Sequence, residues 1–282
     1  MNYELTNILN PDSQAWAEQK ARIEAGKKKV LSLTSSPRFF GLLQSEKVAG
    51  VNLLDSVTGR KYQKNKTRFF NDVPVPYGAQ VAMNADGSIS VIYDGDELGK
   101  VHLYGNTRRA VQDVRYTNPD GTMDNIIEFA FDGNEFSNIF YYNDEIQEIV
   151  FLNNSGQAVV RYYYYGGAIN YITVEDPKTH KMIKDYTTLT EFYADQLAKL
   201  LKPKDKVTIS YLGIELDVLA QTKSHNIINL AEDPFDENDN VRGNLLSILN
   251  DDISYIQEVQ VSQENADKLK QKQISLAKVT VV

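Results

Sequence analysis

The chain has 282 residues, 42% of them hydrophobic and 24% charged, with a net charge of -8 and a pI near 5.0. That is the composition of a globular protein of one large domain or two ordinary ones, and its acidity excludes nucleic acid as the principal partner, since phosphate binding needs clustered Lys and Arg. Having no cysteine removes disulfides, thiolate nucleophiles and Cys-ligated metals together.

The first ten residues lack the basic start and apolar core of a signal peptide, and no apolar run approaches the length of a membrane span. A cytoplasmic location is expected. Asn10-Pro11-Asp12-Ser13 is a cap signal that opens a predicted helix over 11–29, where Ala15, Trp16, Ala21, Ile23 and Ala25 alternate with charges. Residues 30–34 read as a short apolar strand, and 41–76 as an irregular segment. Within it Arg60, Lys61, Lys64, Lys66 and Arg68 form a basic cluster, expected to be a solvated loop rather than a phosphate site.

From Gly78 to Val174 the pattern is regular. Strands are predicted at 81–83, 88–93, 100–104, 111–116, 126–131, 137–142, 146–152, 159–165 and 169–174. Between them stand Asp86-Gly87, Asp94-Gly95, Asp120-Gly121, Asp132-Gly133, Ser155-Gly156 and Gly166-Gly167, which supply the positive φ of tight turns. Spacings of roughly ten residues from strand to strand predict an antiparallel meander. Many of the seventeen tyrosines concentrate there, a residue suited both to cross-strand packing and to recognition surfaces.

The period then changes. Thr188 and Glu191 form a capping box for a helix over 188–202. Strands predicted at 206–211, 226–230, 254–259 and 277–282 alternate with helices at 216–222, 241–249 and 263–272. Such alternation predicts right-handed crossovers and a mostly parallel, Rossmann-like sheet. The helix and strand over 11–34 are expected to complete it, which makes the meander an insertion.

No glycine-rich phosphate loop follows any predicted strand. His102, His180 and His225 share no helical or hairpin spacing, so no imidazole metal site is expected. The carboxylates at 94–97 read as a hairpin turn. Those at 232–239 follow a parallel strand at the edge where α/β proteins place ligands; a calcium or sugar site there is weighed against an acidic solvated loop, and the loop is expected. No serine has an elbow turn and a base. The reading assigns no catalytic residue, no metal and no cofactor.

Ser36-Pro37-Arg38-Phe39-Phe40, the Tyr-rich meander with Arg161-Tyr162-Tyr163-Tyr164-Tyr165-Gly166, and Val241-Arg242-Gly243-Asn244-Leu245-Leu246 together resemble the bacterial accessory Sec glycosylation proteins. The resemblance implies an α/β protein with a large antiparallel β-meander: a GT-B-like body of two Rossmann-type halves, the first carrying the inserted sheet. Here it covers residues 37–282, and it divides the chain into 1–76, joining the α/β body, the meander at 77–175 and a Rossmann-like unit at 186–282. Two departures stand out: the N-terminal βα unit is unrecognisable before Val30, and the second half is absent, as in a larger protein cut at a domain boundary. Catalytic relatives hold the nucleotide sugar with a Glu-x7-Glu pair in that half. No two glutamates here have that spacing, so sugar transfer by this chain alone is not expected.

The implied role is a non-catalytic subunit that stabilises a catalytic glycosyltransferase and holds a serine-rich adhesin polypeptide for O-glycosylation, with peripheral membrane contact through the complex. Candidate acceptor- or partner-binding residues are Arg38, Tyr141, Tyr142, Tyr162, Tyr163, Tyr164, Tyr165 and Asn244. Alternation assigns half of these tyrosines to the core; the bland alternatives for Arg38 and Asn244 are a salt-bridging surface residue and a helix cap. Three other readings stand beside this one: the N-terminal fragment of an active adhesin or teichoic-acid glycosyltransferase, a GT-B-like accessory Sec export protein, and a dimerisation sheet without a ligand.

Overall fold

Two separate sheets, one parallel and one antiparallel, organise the computed structural model, which describes residues 1–63, 66–105, 107 and 109–282. Lys64 of the basic cluster lies outside the described residues. In chain order the elements begin β1 (Asn2–Thr6), α1 (Gln14–Gly26), β2 (Lys29–Ser32), α2 (Phe39–Glu46), β3 (Gly50–Asn52) and α3 (Leu53–Thr58). The meander follows as β4 (Gln80–Met83), β5 (Ile89–Tyr93), β6 (Asp96–Leu103), β7 (Val111–Thr117), β8 (Met123–Phe129), β9 (Glu135–Tyr142), β10 (Glu145–Leu152), β11 (Ala158–Tyr165), β12 (Ala168–Glu175) and β13 (Met182–Tyr186). The chain ends with α4 (Leu189–Leu200), β14 (Lys206–Ile209), α5 (Ile214–Asp217), β15 (His225–Asn229), α6 (Gly243–Leu249), β16 (Glu258–Val261), α7 (Gln263–Gln271) and β17 (Val279–Val281).

One unit comprises Met1–Ser35, Leu42–Leu53 and Thr190–Val282. Its sheet is parallel throughout, in the order β3-β2-β1-β14-β15-β16-β17. Strands covered on both faces must be apolar on both, and Val30, Leu31, Val207, Ile209, Ile228 and Val259 are all buried. Several polar side chains are buried on these strands too, Ser32, Thr208 and Asn226 among them, and one of the buried groups is a carboxyl: Glu4, at the middle of β1. Arg22 of α1 donates to its Oε1 from Nη2 at 2.6 Å and from Nε at 3.1 Å, and Lys28 donates to Oε2 at 3.0 Å. β1 is not among the strands predicted from sequence, because a glutamate in so short a run breaks the apolar pattern that marks a buried strand.

The other unit comprises Ser36–Gly41 and Leu54–Leu189. Its ten strands run in strict succession from β4 to β13, every neighbouring pair antiparallel. Val91, Val101, Val114 and Phe129 form a core on β5–β8, packed with Val73, Phe70, Val75 and Ala79 from the preceding segment. At the β5–β6 turn Asp94 and Gly95 both take positive φ, 50° and 92°, as a type I′ hairpin requires.

Several expectations need correction. The segment 41–76 is not wholly irregular, since most of α2, with β3 and α3, lies in it. β13, an edge strand exposed over four of its five residues, carries no alternation to read. The predicted strand at 254–259 lies further on, at β16, and the helix at 216–222 shrinks to α5. Among the described residues the basic cluster is solvated only in part: Lys61 and Lys66 are exposed, but the two arginines are engaged by the fold. The Arg60 side chain is 5% exposed and donates from Nη1 to the carbonyls of Glu135 and Leu152 at 2.6 and 3.0 Å, its guanidinium over the Phe136 ring. Arg68 donates to the carbonyls of Gly133 and Asp72 and covers the ring of Phe129.

Candidate functional site

In open α/β sheets ligands bind outside the carboxyl ends of the strands, where the loops diverge. Here the chain leaves β14 through Ser210, Tyr211, Leu212 and Gly213, and leaves β15 through Leu230 and Glu232. With Arg242, Gly243 and Asn244 at the start of α6, these residues line a cavity of about 570 Å³. A crevice of about 260 Å³ adjoins it, sharing Leu230 and Glu232 and adding Asn229, Gln260 and Asn265.

Local bonding fixes this lining. The Asn244 amide donates to the carbonyl of Leu212 at 3.1 Å, so it ties the two loops together instead of capping the helix. Asn229 donates to Gln260 Oε1 at 3.1 Å. Arg242 donates from Nε to the Asp233 carbonyl at 2.7 Å and lies 3.3 Å from Glu232 Oε2, which answers its charge on the spot. The acidic stretch folds on itself: backbone N–H groups of Asn240 and Asn238 hold the Asp236 carboxyl below the usual carboxylate range. Among the described residues no group of three or more His, Cys, Asp or Glu is placed to hold a metal. The groove therefore presents hydroxyl, amide and backbone groups around one compensated ion pair, a chemistry for neutral polar ligands. Of its residues, Asn244 is a sequence candidate, and Glu232 opens the acidic stretch weighed above as a calcium or sugar site. Tyr211 ends one predicted parallel strand and Glu232 follows another, which is their one readable signal; Arg242, at the start of a predicted helix, has none beyond the resemblance.

The remaining candidates belong to the other unit. Arg38 is exposed and precedes α2; its positive charge favours the ionised phenolate of Tyr104, whose pKa burial nevertheless drives up. The tyrosines divide between the sheet faces. Ile149 pairs with Ile139 and Tyr162, Tyr141 with Ile146, and Tyr164 with Ile169, so Tyr141, Tyr162 and Tyr164 share one face. Glu148 pairs with Phe140 and Tyr163, and Tyr163 with Tyr171, so Tyr142, Tyr163 and Tyr165 share the other. On the first face Tyr162 is buried against Phe151, ring centroids 4.9 Å apart, and burial raises the pKa of Tyr141 and Tyr164. On the second, Tyr142 and Tyr165 are open to solvent and Arg161 bridges Glu148 and Glu175 at 2.7 and 3.0 Å.

No protein-family model and no curated protein sequence matches the chain. Solved structures do. A chain of the Glycosylation Associate Protein (Gap123) complex from Streptococcus agalactiae matches all of it at 16% identity and a TM-score of 0.69. A chain of the accessory secretory protein 1, 2 and 3 structure of Streptococcus pneumoniae matches at 13% and 0.72, and the pneumococcal O-GlcNAc transferase GtfA, solved with UDP and GlcNAc, at 15% and 0.74. The fold is theirs. The GT-B-like resemblance read from the sequence thus holds at the level of fold, with a parallel sheet and a large antiparallel one in a single chain. All three cover 100% of this chain, while it spans 60%, 61% and 59% of theirs.

Proposed function

We propose that the parallel unit is the first Rossmann-type half of a GT-B-like body, and that the chain is a non-catalytic subunit of an accessory Sec glycosylation complex. In this reading it stabilises a partner glycosyltransferase and holds the Ser/Thr-rich acceptor of a surface adhesin, in the cytoplasm and against the membrane only through the complex. The observation that carries the reading is the full-length likeness in fold to chains solved in glycosylation-associated and accessory secretory complexes. The neutral hydroxyl- and amide-bearing groove adds to it, because an uncharged Ser/Thr polypeptide offers hydroxyl and backbone groups rather than charge.

The test is co-expression with the GT-B glycosyltransferase encoded beside its gene, followed by size-exclusion chromatography with light scattering. A stable hetero-complex supports the subunit reading; a monomer or homo-oligomer that ignores the enzyme overturns it. A second reading, the acceptor-side part of an active glycosyltransferase, draws on the TM-score of 0.74 to the pneumococcal transferase. Transfer from a UDP-sugar to an adhesin peptide by the full-length gene product alone would favour that reading. A third, an export-system relative, predicts preference for the glycosylated over the bare adhesin in a pull-down.

A further inference from the structure

The ends of the ten-stranded sheet differ in chemistry. One end is built from the turns β5–β6, β7–β8, β9–β10 and β11–β12. The segments that form it, 93–97, 117–124, 142–146 and 165–168, contain no Lys, Arg or His. The first three carry three, two and two carboxylates respectively, all exposed. The turn at the opposite end between β12 and β13 carries Lys178, His180 and Lys181.

The same end collects the exposed tyrosines. Among the described residues four are exposed: Tyr77 (103%), Tyr93 (49%), Tyr142 (69%) and Tyr165 (82%). Tyr93, Tyr142 and Tyr165 are the last residues of β5, β9 and β11, each immediately before its turn. Tyr77 joins them because Gly78 packs on the Tyr93 ring. Core packing does not explain aromatic rings held in water at the tip of hairpin after hairpin. Strands about 4.8 Å apart spread the four turns over about 30 Å, the width of a protein contact rather than of a small-molecule pocket.

We propose that this hairpin end is a docking surface for a Lys/Arg-rich face of a protein partner. The inference rests on the reading that the chain works in a protein complex, and it adds where and by what chemistry the partner is held. Guanidinium and ammonium groups lie over tyrosine faces and hydrogen-bond to carboxylates, and here Tyr93 adjoins Asp94 and Asp96 as Tyr142 adjoins Asp144 and Glu145. Asp120 is held ionised by Thr122, whose hydroxyl and N–H both donate to it. A second copy is a poor occupant, since two such ends meet like charge with like.

The complex with the adjacent glycosyltransferase is measured by surface plasmon resonance from 50 to 500 mM salt, for the parent chain and for Asp94→Asn/Asp96→Asn/Asp144→Asn/Glu145→Gln and Tyr93→Ala/Tyr142→Ala/Tyr165→Ala. All these side chains are exposed, and circular dichroism checks the fold. The expected result is about a tenfold loss at low salt in each variant, with a flattened salt dependence in the charge variant. Unchanged affinity and an unchanged salt slope in both overturn the proposal. A parent chain that fails to bind the enzyme removes the functional reading instead. The surface is then decided by titrating the full chain with a nona-arginine peptide and following backbone amides by NMR. Shifts confined to the four turns support the proposal; shifts centred on the acidic segment at 232–239, which has no exposed tyrosine, overturn it.

Discussion

Arg60 and Asp55 show how far a single residue's environment can depart from its composition. Arg60 reads as one cation among five, yet its Nη1 fills two carbonyl acceptors under the sheet, and burial pulls its guanidinium below the ordinary range. Arg60→Ala strips this donor from both carbonyls and removes a cation 3.8 Å from the Asp55 carboxyl, so a loss of about 3 kcal/mol is expected in the free energy of unfolding by urea. Asp55 itself is pushed up to about 6 by burial, against the opposing pull of Arg60. A carboxyl whose folded pKa lies above its unfolded value binds more protons when folded, so its contribution to stability is present at low pH and is lost as pH rises toward 6. Asp55→Asn should remove that dependence: the difference in melting temperature between parent and variant should change between pH 4 and pH 7, in the direction that favours the variant at pH 7. A constant difference would contradict it. Residue-scale readings failed where a charge was answered inside the fold. Glu4 hid a strand and Arg60 hid a packing contact, because nothing near either in sequence names its partners.

At the scale of elements the turns were the most legible part, since positive φ leaves a mark in residue type. Gly133 and Gly156 both occupy hairpin turns at φ 77° and 73°, but they are not equivalent. A Cβ on Gly133 would lie 2.3 Å from the Arg68 nitrogen, whereas nothing lies within 4 Å of one on Gly156. Gly156→Ala should cost about 1 kcal/mol from backbone strain alone. Gly133→Ala should cost at least about 2 kcal/mol more, because the 66–68 segment must move; equal melting temperatures for the two variants would contradict the packing. Strand existence and order in the meander could be read for the same reason. What could not be read was β13, whose one covered side leaves no pattern, and the face on which each tyrosine lies. That depends on register, and β12 carries an irregularity opposite Tyr163 and Tyr164 that no local sequence signal announces.

At the scale of the molecule, one sheet is local and the other is not. Each meander strand pairs with its successor, so every step closes a short loop, whereas Asn2 of β1 must find Lys206 of β14. Closing about two hundred residues instead of about ten costs roughly 3 kcal/mol more in chain entropy. Pulse-labelling hydrogen exchange during refolding should therefore protect amides of β7–β11 before those of β1 and β14; simultaneous protection, or the reverse order, would contradict this. The parallel sheet was readable in its later strands because each crossover helix follows in sequence, and unreadable at β1. An up-and-down sheet also has a direction of travel that reverses with every strand. Ten is an even number, so removing or adding one strand would deliver the chain to the opposite end of the sheet, while removing or adding two would not. Growth or shrinkage of this insertion should therefore come in whole hairpins, in steps of about twenty residues, and each added hairpin would widen the tyrosine-bearing end by one more turn.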